Sequence, residues 1–184
     1  MKPGPKPKGA TSKTWSPNLA YAVGLITADG YLSKDGRHMS FTSKDKALVT
    51  TFKECLGLQT KLAQKCSGSG NLAYHTQFGD VLFYAFLCEI GLSSAKSKTL
   101  GALKIPRQYF RDFLRGYFDG DGSSYSYYDP VFPKSFRFYL SFTSASPLFI
   151  SWLREELHEI IGVKGSVSKN KNNAYLQLKY AKTE

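Results

Sequence analysis

The sequence is short of acid: 14 Asp and Glu residues stand against 25 Lys and Arg, for a net charge of +11 and a pI near 9.5. Such a bias favours a polyanion as partner, either nucleic acid or an anionic surface. It is short of cysteine too, with Cys55, Cys66 and Cys88 widely spaced. They form neither a disulfide framework nor a zinc-ligand pattern and suit reduced thiols in an intracellular protein. No apolar run approaches a membrane span, and no signal peptide precedes the first expected helix. His38, His75 and His158 are scattered and make no catalytic cluster. The composition, 42% hydrophobic and 15% aromatic over 184 residues, excludes a disordered chain and allows one sizeable core or two small halves.

What is present is repetition. "SFTS" occurs at Ser40–Ser43 and again at Ser141–Ser144. Each copy precedes an amphipathic helix ending at glycine, Gly57 or Gly162. The spacing places Leu48, Phe52, Cys55 and Leu56 on one face of the first helix, and Phe149, Leu153, Leu157 and Ile160 on one face of the second. Ser146-Pro147 reads as N-cap and first helical residue. Each copy follows a helix ending in Asp-Gly, one opened by Ser16-Pro17 and one by Pro106. Each amphipathic helix is followed by two more strands, roughly 61–66 with 72–78 and 165–169 with 174–180, joined through "SGSGN" and "NKNN". The first half adds a third helix near residues 80–90. The second reaches Glu184 where its counterpart would begin.

The expected organisation is a flexible basic arm (1–14), a first half (15–104) and a second half (105–184), the halves forming one compact unit. The fold class is α/β (α+β), with pseudo-twofold αββαββ(α) halves and antiparallel sheets. Alternation in "FRFYLSFTS" puts Phe136, Phe138, Leu140 and Phe142 inside and Arg137, Tyr139, Ser141 and Thr143 outside.

The two Asp-Gly helices carry the chemistry. "AVGLITADG" (Ala22–Gly30) and "LRGYFDGDG" (Leu114–Gly122) each place a glycine four residues before a small residue: Gly24 with Ala28, Gly116 with Gly120. Such faces let two backbones approach, and parallel packing would bring Asp29 and Asp121 to one end. An acid at a helix C-terminus is electrostatically misplaced. Two together are relieved by a divalent cation, for which carboxylates and terminal carbonyls are hard ligands.

Both nonamers resemble the LAGLIDADG homing endonuclease signature, and the double motif resembles the single-chain members. "AVGLITADG" keeps the Gly-Leu-Ile and Ala-Asp-Gly skeleton, with Thr27 where the family usually has its first aspartate. The resemblance implies two four-stranded sheets forming a DNA-binding saddle, with the motif helices packed at the centre. It also implies site-specific hydrolysis of both strands of duplex DNA by an intracellular, monomeric and intron-encoded enzyme. The target would be long and weakly symmetric, and no membrane would be involved. The metal would be Mg2+ or Mn2+, with Ca2+ binding without supporting cleavage. Asp29 and Asp121 would be its ligands, with the carbonyls of Ala28 and Gly120 in support. Lys44 and Lys96 match basic positions of the family near the scissile phosphates, whereas Ala145 stands opposite Lys44. Outer-face residues expected on DNA are Lys34, Arg37, His38, Ser40, Thr42, His75 and Gln77 in the first half. In the second half they are Tyr125, Tyr127, Arg137, Tyr139, Ser141, Lys169, Tyr175, Gln177 and Lys179. The rival reading is a family-derived binding protein, an RNA maturase or DNA-binding regulator, that does not cleave.

Overall fold

A computed structural model describes residues 9–66, 72–170, 172 and 174–182. The turn "SGSGN", residues 1–8 of the basic arm, part of "NKNN" and residues 183–184 lie outside the described residues. The chain divides into two compact units. The first comprises residues 1–94 and 103–120, the second 95–102 and 121–184.

In the first unit, helix α1 (Pro17–Asp29) opens where Ser16 accepts from the Leu19 amide at 3.1 Å and Pro17 takes the first turn. Strands β1 (Gly30–Leu32) and β2 (His38–Ser43) follow, then α2 (Lys46–Cys55), β3 (Ala63–Cys66), β4 (Leu72–Gly79) and α3 (Val81–Glu89). The sheet is antiparallel in the order β1-β2-β4-β3. Its inner face carries Met39, Phe41 and Phe78, all buried, beneath α1, α2 and α3. The buried residues of α2 are Val49 and Phe52, with Leu56 just beyond its end. Leu48 and Cys55, expected inward, are only half-buried. Gly57 follows α2 at φ 65°, the left-handed conformation that glycine adopts without a Cβ penalty.

The expected arm is tied down before residue 14. The Asp80 carboxylate accepts from the amides of Ala10 and Thr11 at 2.8 and 2.9 Å, while its other oxygen caps α3 through the Phe83 amide at 2.9 Å. Trp15 then packs edge-on to Phe86 and stacks on Tyr109. These contacts require side chains far along the chain, which local composition does not reveal.

The second unit begins with α4 (Lys96–Thr99) and resumes at the last residue of α5 (Phe110–Asp121). It continues through β5 (Gly122–Tyr128), β6 (Phe136–Ser144), α6 (Pro147–Ile161), β7 (Ser166–Lys169) and β8 (Leu176–Lys182). The sheet order β5-β6-β8-β7 repeats that of the first unit. Ser146 caps α6 and donates its hydroxyl to the Leu100 carbonyl at 2.5 Å, which ties residues 95–102 to this unit. The buried residues of α6 are Phe149, Ile150, Leu153 and Leu157, but Ile160 is exposed.

The inner face of β6 departs from expectation. Phe142 is buried and Leu140 half-buried, whereas Phe136 and Phe138 remain 37% and 39% exposed. Alternation sets which face a residue occupies, not whether a helix covers it. Here α6 covers β6 and β8, and among the described residues no second long helix of this unit shares the task, as α3 does in the first.

Candidate functional site

The first unit contains all of α1 and α5 as far as Gly120. The two helices run parallel and nearly in backbone contact. A Cβ built on Gly24 would overlap the Phe113 carbonyl and lie 2.6 Å from the Tyr117 amide nitrogen. One built on Gly116 would overlap the Tyr21 carbonyl oxygen. One built on Gly120 would collide with the Ala28 methyl and sit 3.5 Å from an Asp29 carboxylate oxygen. The small-residue faces expected from the sequence therefore meet, and the seam ends with Asp29 beside Gly120. Asp121 is the next residue in the chain.

Gly30 ends α1 in an extended conformation, φ −75°, with its amide donating to the Ile26 carbonyl. Its lack of a side chain serves proximity, because a Cβ would lie 2.6 Å from the Ile26 Cα.

A polar clasp on the same seam was not legible in the sequence. The Tyr21 hydroxyl donates to Asp119 at 2.7 Å, and the Arg115 guanidinium lies 4.5 Å over the Tyr21 ring. Burial, and the hydrogen bond to Asp119, hold the phenol well above the usual tyrosine range, so it remains a donor. Asp119 is the second motif's counterpart of Thr27. Thr27, for its part, turns its hydroxyl back to the Val23 carbonyl at 2.7 Å. One motif position thus holds the helix pair in one copy and satisfies its own helix in the other.

The two expected lysines differ. Lys44 is exposed just beyond β2. Lys96 lies in α4 of the second unit and is only 8% exposed.

On the outer face of the first sheet, register pairs Ser40 with Gln77 and Thr42 with His75. The Thr42 hydroxyl and His75 Nδ1 are hydrogen-bonded at 2.7 Å. Burial, aided by the Lys65 charge, lowers the His75 pKa. Lys34 and Arg37 are exposed in the β1–β2 loop, where Asp35 accepts from the amides of Arg37 and His38 and pairs with His38 Nδ1 at 2.5 Å. Tyr31 and Lys65, absent from the expected set, line a cleft of about 240 Å³ with His38, Ser40, His75 and Gln77. Lys65 could have been found from strand parity, since it pairs with Ala73, two residues before His75.

On the second sheet, Tyr125 pairs with Tyr139, Tyr127 with Arg137, Ser141 with Lys179 and Thr143 with Gln177. These share the outer face. Tyr175, just before β8, is exposed. Lys169 is a correction: it pairs with Leu176, on the parity of Val167 and Leu178, which is the inner side of the sheet. Beginning β7 at Gly165 slips nothing, but alternation from Ser166 and Ser168 leaves Lys169 opposite to them.

The donor set at the motif-helix ends is oxygen only. Among the described residues no group of three or more His, Cys, Asp or Glu is gathered as a metal cage. A carboxylate with helix-end carbonyls fits a hard divalent ion that keeps part of its water shell, as Mg2+ does. No helix of the described residues is long and apolar enough to cross a membrane.

Duplicated helix–strand units, backbone-close motif helices and acids at their ends define the class. The model of the LAGLIDADG-like domain matches residues 16–91 and 109–183, and the chain belongs to that family. Among solved structures, it is similar to the homing endonuclease I-WcaI bound to its DNA recognition sequence, with 17% identity and TM-score 0.62, covering 97% of this chain and 84% of that one. It is similar to full-length DUF199/WhiA from Thermatoga maritima at 14% identity and TM-score 0.59, covering 94% of this chain but 58% of that one. It is also similar to I-SmaMI bound to uncleaved DNA target in the presence of calcium ions, at 15% identity and TM-score 0.57, covering 92% and 80%. No curated protein matches. At these identities the likeness speaks to the fold.

Proposed function

We propose that this protein is a site-specific double-stranded DNA endonuclease that hydrolyses phosphodiester bonds with divalent metal ions held by Asp29 and Asp121. The observation that carries the reading is the seam of α1 and α5, whose glycines let the backbones meet and deliver the Asp29 carboxylate to Gly120. A protein that only bound DNA would have no use for acids at two motif ends, where they oppose both the helix dipoles and an approaching phosphate.

In this reading Asp29, Asp121 and the carbonyls of Ala28 and Gly120 supply hard oxygen ligands. Magnesium or manganese bound there would supply an activated water, a polarised phosphate and relief for the leaving 3′ oxygen. The exposed Lys44 would lend positive charge near a scissile phosphate. Lys96 is buried, and its part in cleavage would be to position rather than to meet solvent-borne phosphate. Outer-face residues of both sheets and the β1–β2 loop would bind the duplex, Lys34 and Lys179 through phosphates and Gln77 through a base edge. Because the two outer faces differ in chemistry, the target would be long and only weakly symmetric, and a duplicated chain would act as a monomer. An intracellular setting beside DNA, with the gene inside an intron, fits that activity. Calcium would bind without supporting cleavage.

The test is incubation with a randomised duplex library in magnesium, followed by sequencing of the new ends. A recurrent cut with short 3′ overhangs, lost in EDTA, is the expected result. A sequence retained by the protein in EDTA, with no cut in magnesium, would overturn it in favour of the binding-only reading.

A further inference from the structure

The outer face of the second sheet carries an aromatic cluster that has no parallel among the described residues of the first. Tyr125 and Tyr139, cross-strand partners, stack with ring centroids 4.8 Å apart and planes 12° from parallel. Tyr127 joins them, 6.0 Å from Tyr139 and 6.4 Å from Tyr125, at 8° and 4°. Of the neighbouring outward residues, Ser123 and Ser141 are small and share a hydrogen bond of 2.8 Å, while Arg137 is the cross-strand partner of Tyr127. The rings are open to solvent, with Tyr125 50% and Tyr127 43% exposed.

Parallel stacking decides what this cluster can offer. The ring faces between neighbours are turned to one another, where offset stacking is favourable. A platform for an unpaired base needs an open face. The stack instead presents outward its ring edges, which are apolar, and its hydroxyls. An apolar edge in the major groove has one complementary group, the 5-methyl of thymine.

The hydrogen-bonding reader beside it is engaged. Arg137 spends Nε and a terminal nitrogen on the Asp129 carboxylate, each at 3.3 Å. The other oxygen of Asp129 accepts from the amides of Val131 and Phe132 at 2.9 and 3.2 Å, which fixes the acid in place. That pair fixes the Arg137 side chain and leaves only its remaining N–H donors for a base edge.

We propose that Tyr125, Tyr127 and Tyr139 make the second unit a reader of thymine methyl groups in duplex DNA. Its share of the target is thymine-rich, while the first unit reads its share by hydrogen bonds through residues such as Ser40 and Gln77. The proposal rests on the DNA-binding reading above.

The test begins with a duplex selected from a random library in calcium. Thymines are then replaced by deoxyuridine in one half of the site at a time, which removes only the methyl groups. Replacement in one half should weaken binding by about fivefold or more, and replacement in the other by less than about twofold. The penalty should vanish in Tyr139→Ala and in Tyr125→Ala, and persist in Tyr125→Phe. The Tyr125 variants, at an exposed position, guard against a folding defect in Tyr139→Ala. Equal penalties in the two halves, or a penalty unchanged in both alanine variants, would overturn the proposal. Selection of no duplex at all would overturn the DNA-binding reading beneath it.

Discussion

The two units repeat one strand order over two different supports. In the first, α1, α2 and α3 cover the inner face, and Met39, Phe41 and Phe78 are sealed. In the second, α6 seals Phe142 but leaves Phe136 and Phe138 exposed. The outer faces diverge as well, one lined by Ser, Thr, His and Gln, the other by stacked tyrosines. Duplication fixes the strand ladder, because backbone pairing is indifferent to side chains. What lies on either face of the ladder is set separately in each copy.

The comparison is broken most severely at the seam of the motif helices. Gly116→Leu should destabilise the first unit by about 3 kcal/mol or more, since overpacking here meets backbone rather than a yielding side chain. Thermal unfolding reads it, and an unchanged melting temperature would mean the helices do not meet there. A matched pair of truncations sharpens the contrast between sheets. Phe41→Ala should cost about 3–5 kcal/mol, as for a large side chain in a sealed core. Phe138→Ala, on the same kind of inward strand position, should cost less than about 1 kcal/mol. Equal losses in chemical denaturation would show that the second sheet is as well covered as the first. Tyr21→Phe removes the hydrogen bond to Asp119 and should cost about 1–2 kcal/mol, with the apolar packing kept.

The smallest effect concerns pH. Burial lowers the His75 pKa below its unfolded value, so below about pH 6.5 the unfolded chain takes up a proton that the folded chain resists. Stability should fall as pH drops through that range and be level above it. His75→Gln should flatten this part of the profile; an identical slope in the variant would assign the protons elsewhere.

The motif seam was legible in the sequence because its signal is local: glycine and a small residue four apart, twice, followed by an acid. Strand faces were legible for the same reason, and Lys169 was misplaced only where a short strand left its parity to its last residue. The clasp of Tyr21, Asp119 and Arg115 was not legible, since Tyr21 reads as one more core aromatic until a partner 98 positions away is known. The burial of Lys96 and the anchoring of Ala10 and Thr11 on Asp80 are equally long-range. Exposure of Phe136 and Phe138 depends on which helices cover a sheet, and alternation carries no information on that.

The metal-site reading is tested most directly by Asp29→Asn and Asp121→Asn on the selected duplex. Binding is measured in calcium and cleavage in magnesium. Each variant should keep duplex affinity within a few-fold and lose double-strand cleavage by about 100-fold or more. Full cleavage by either variant would contradict the assignment of its aspartate to the active site.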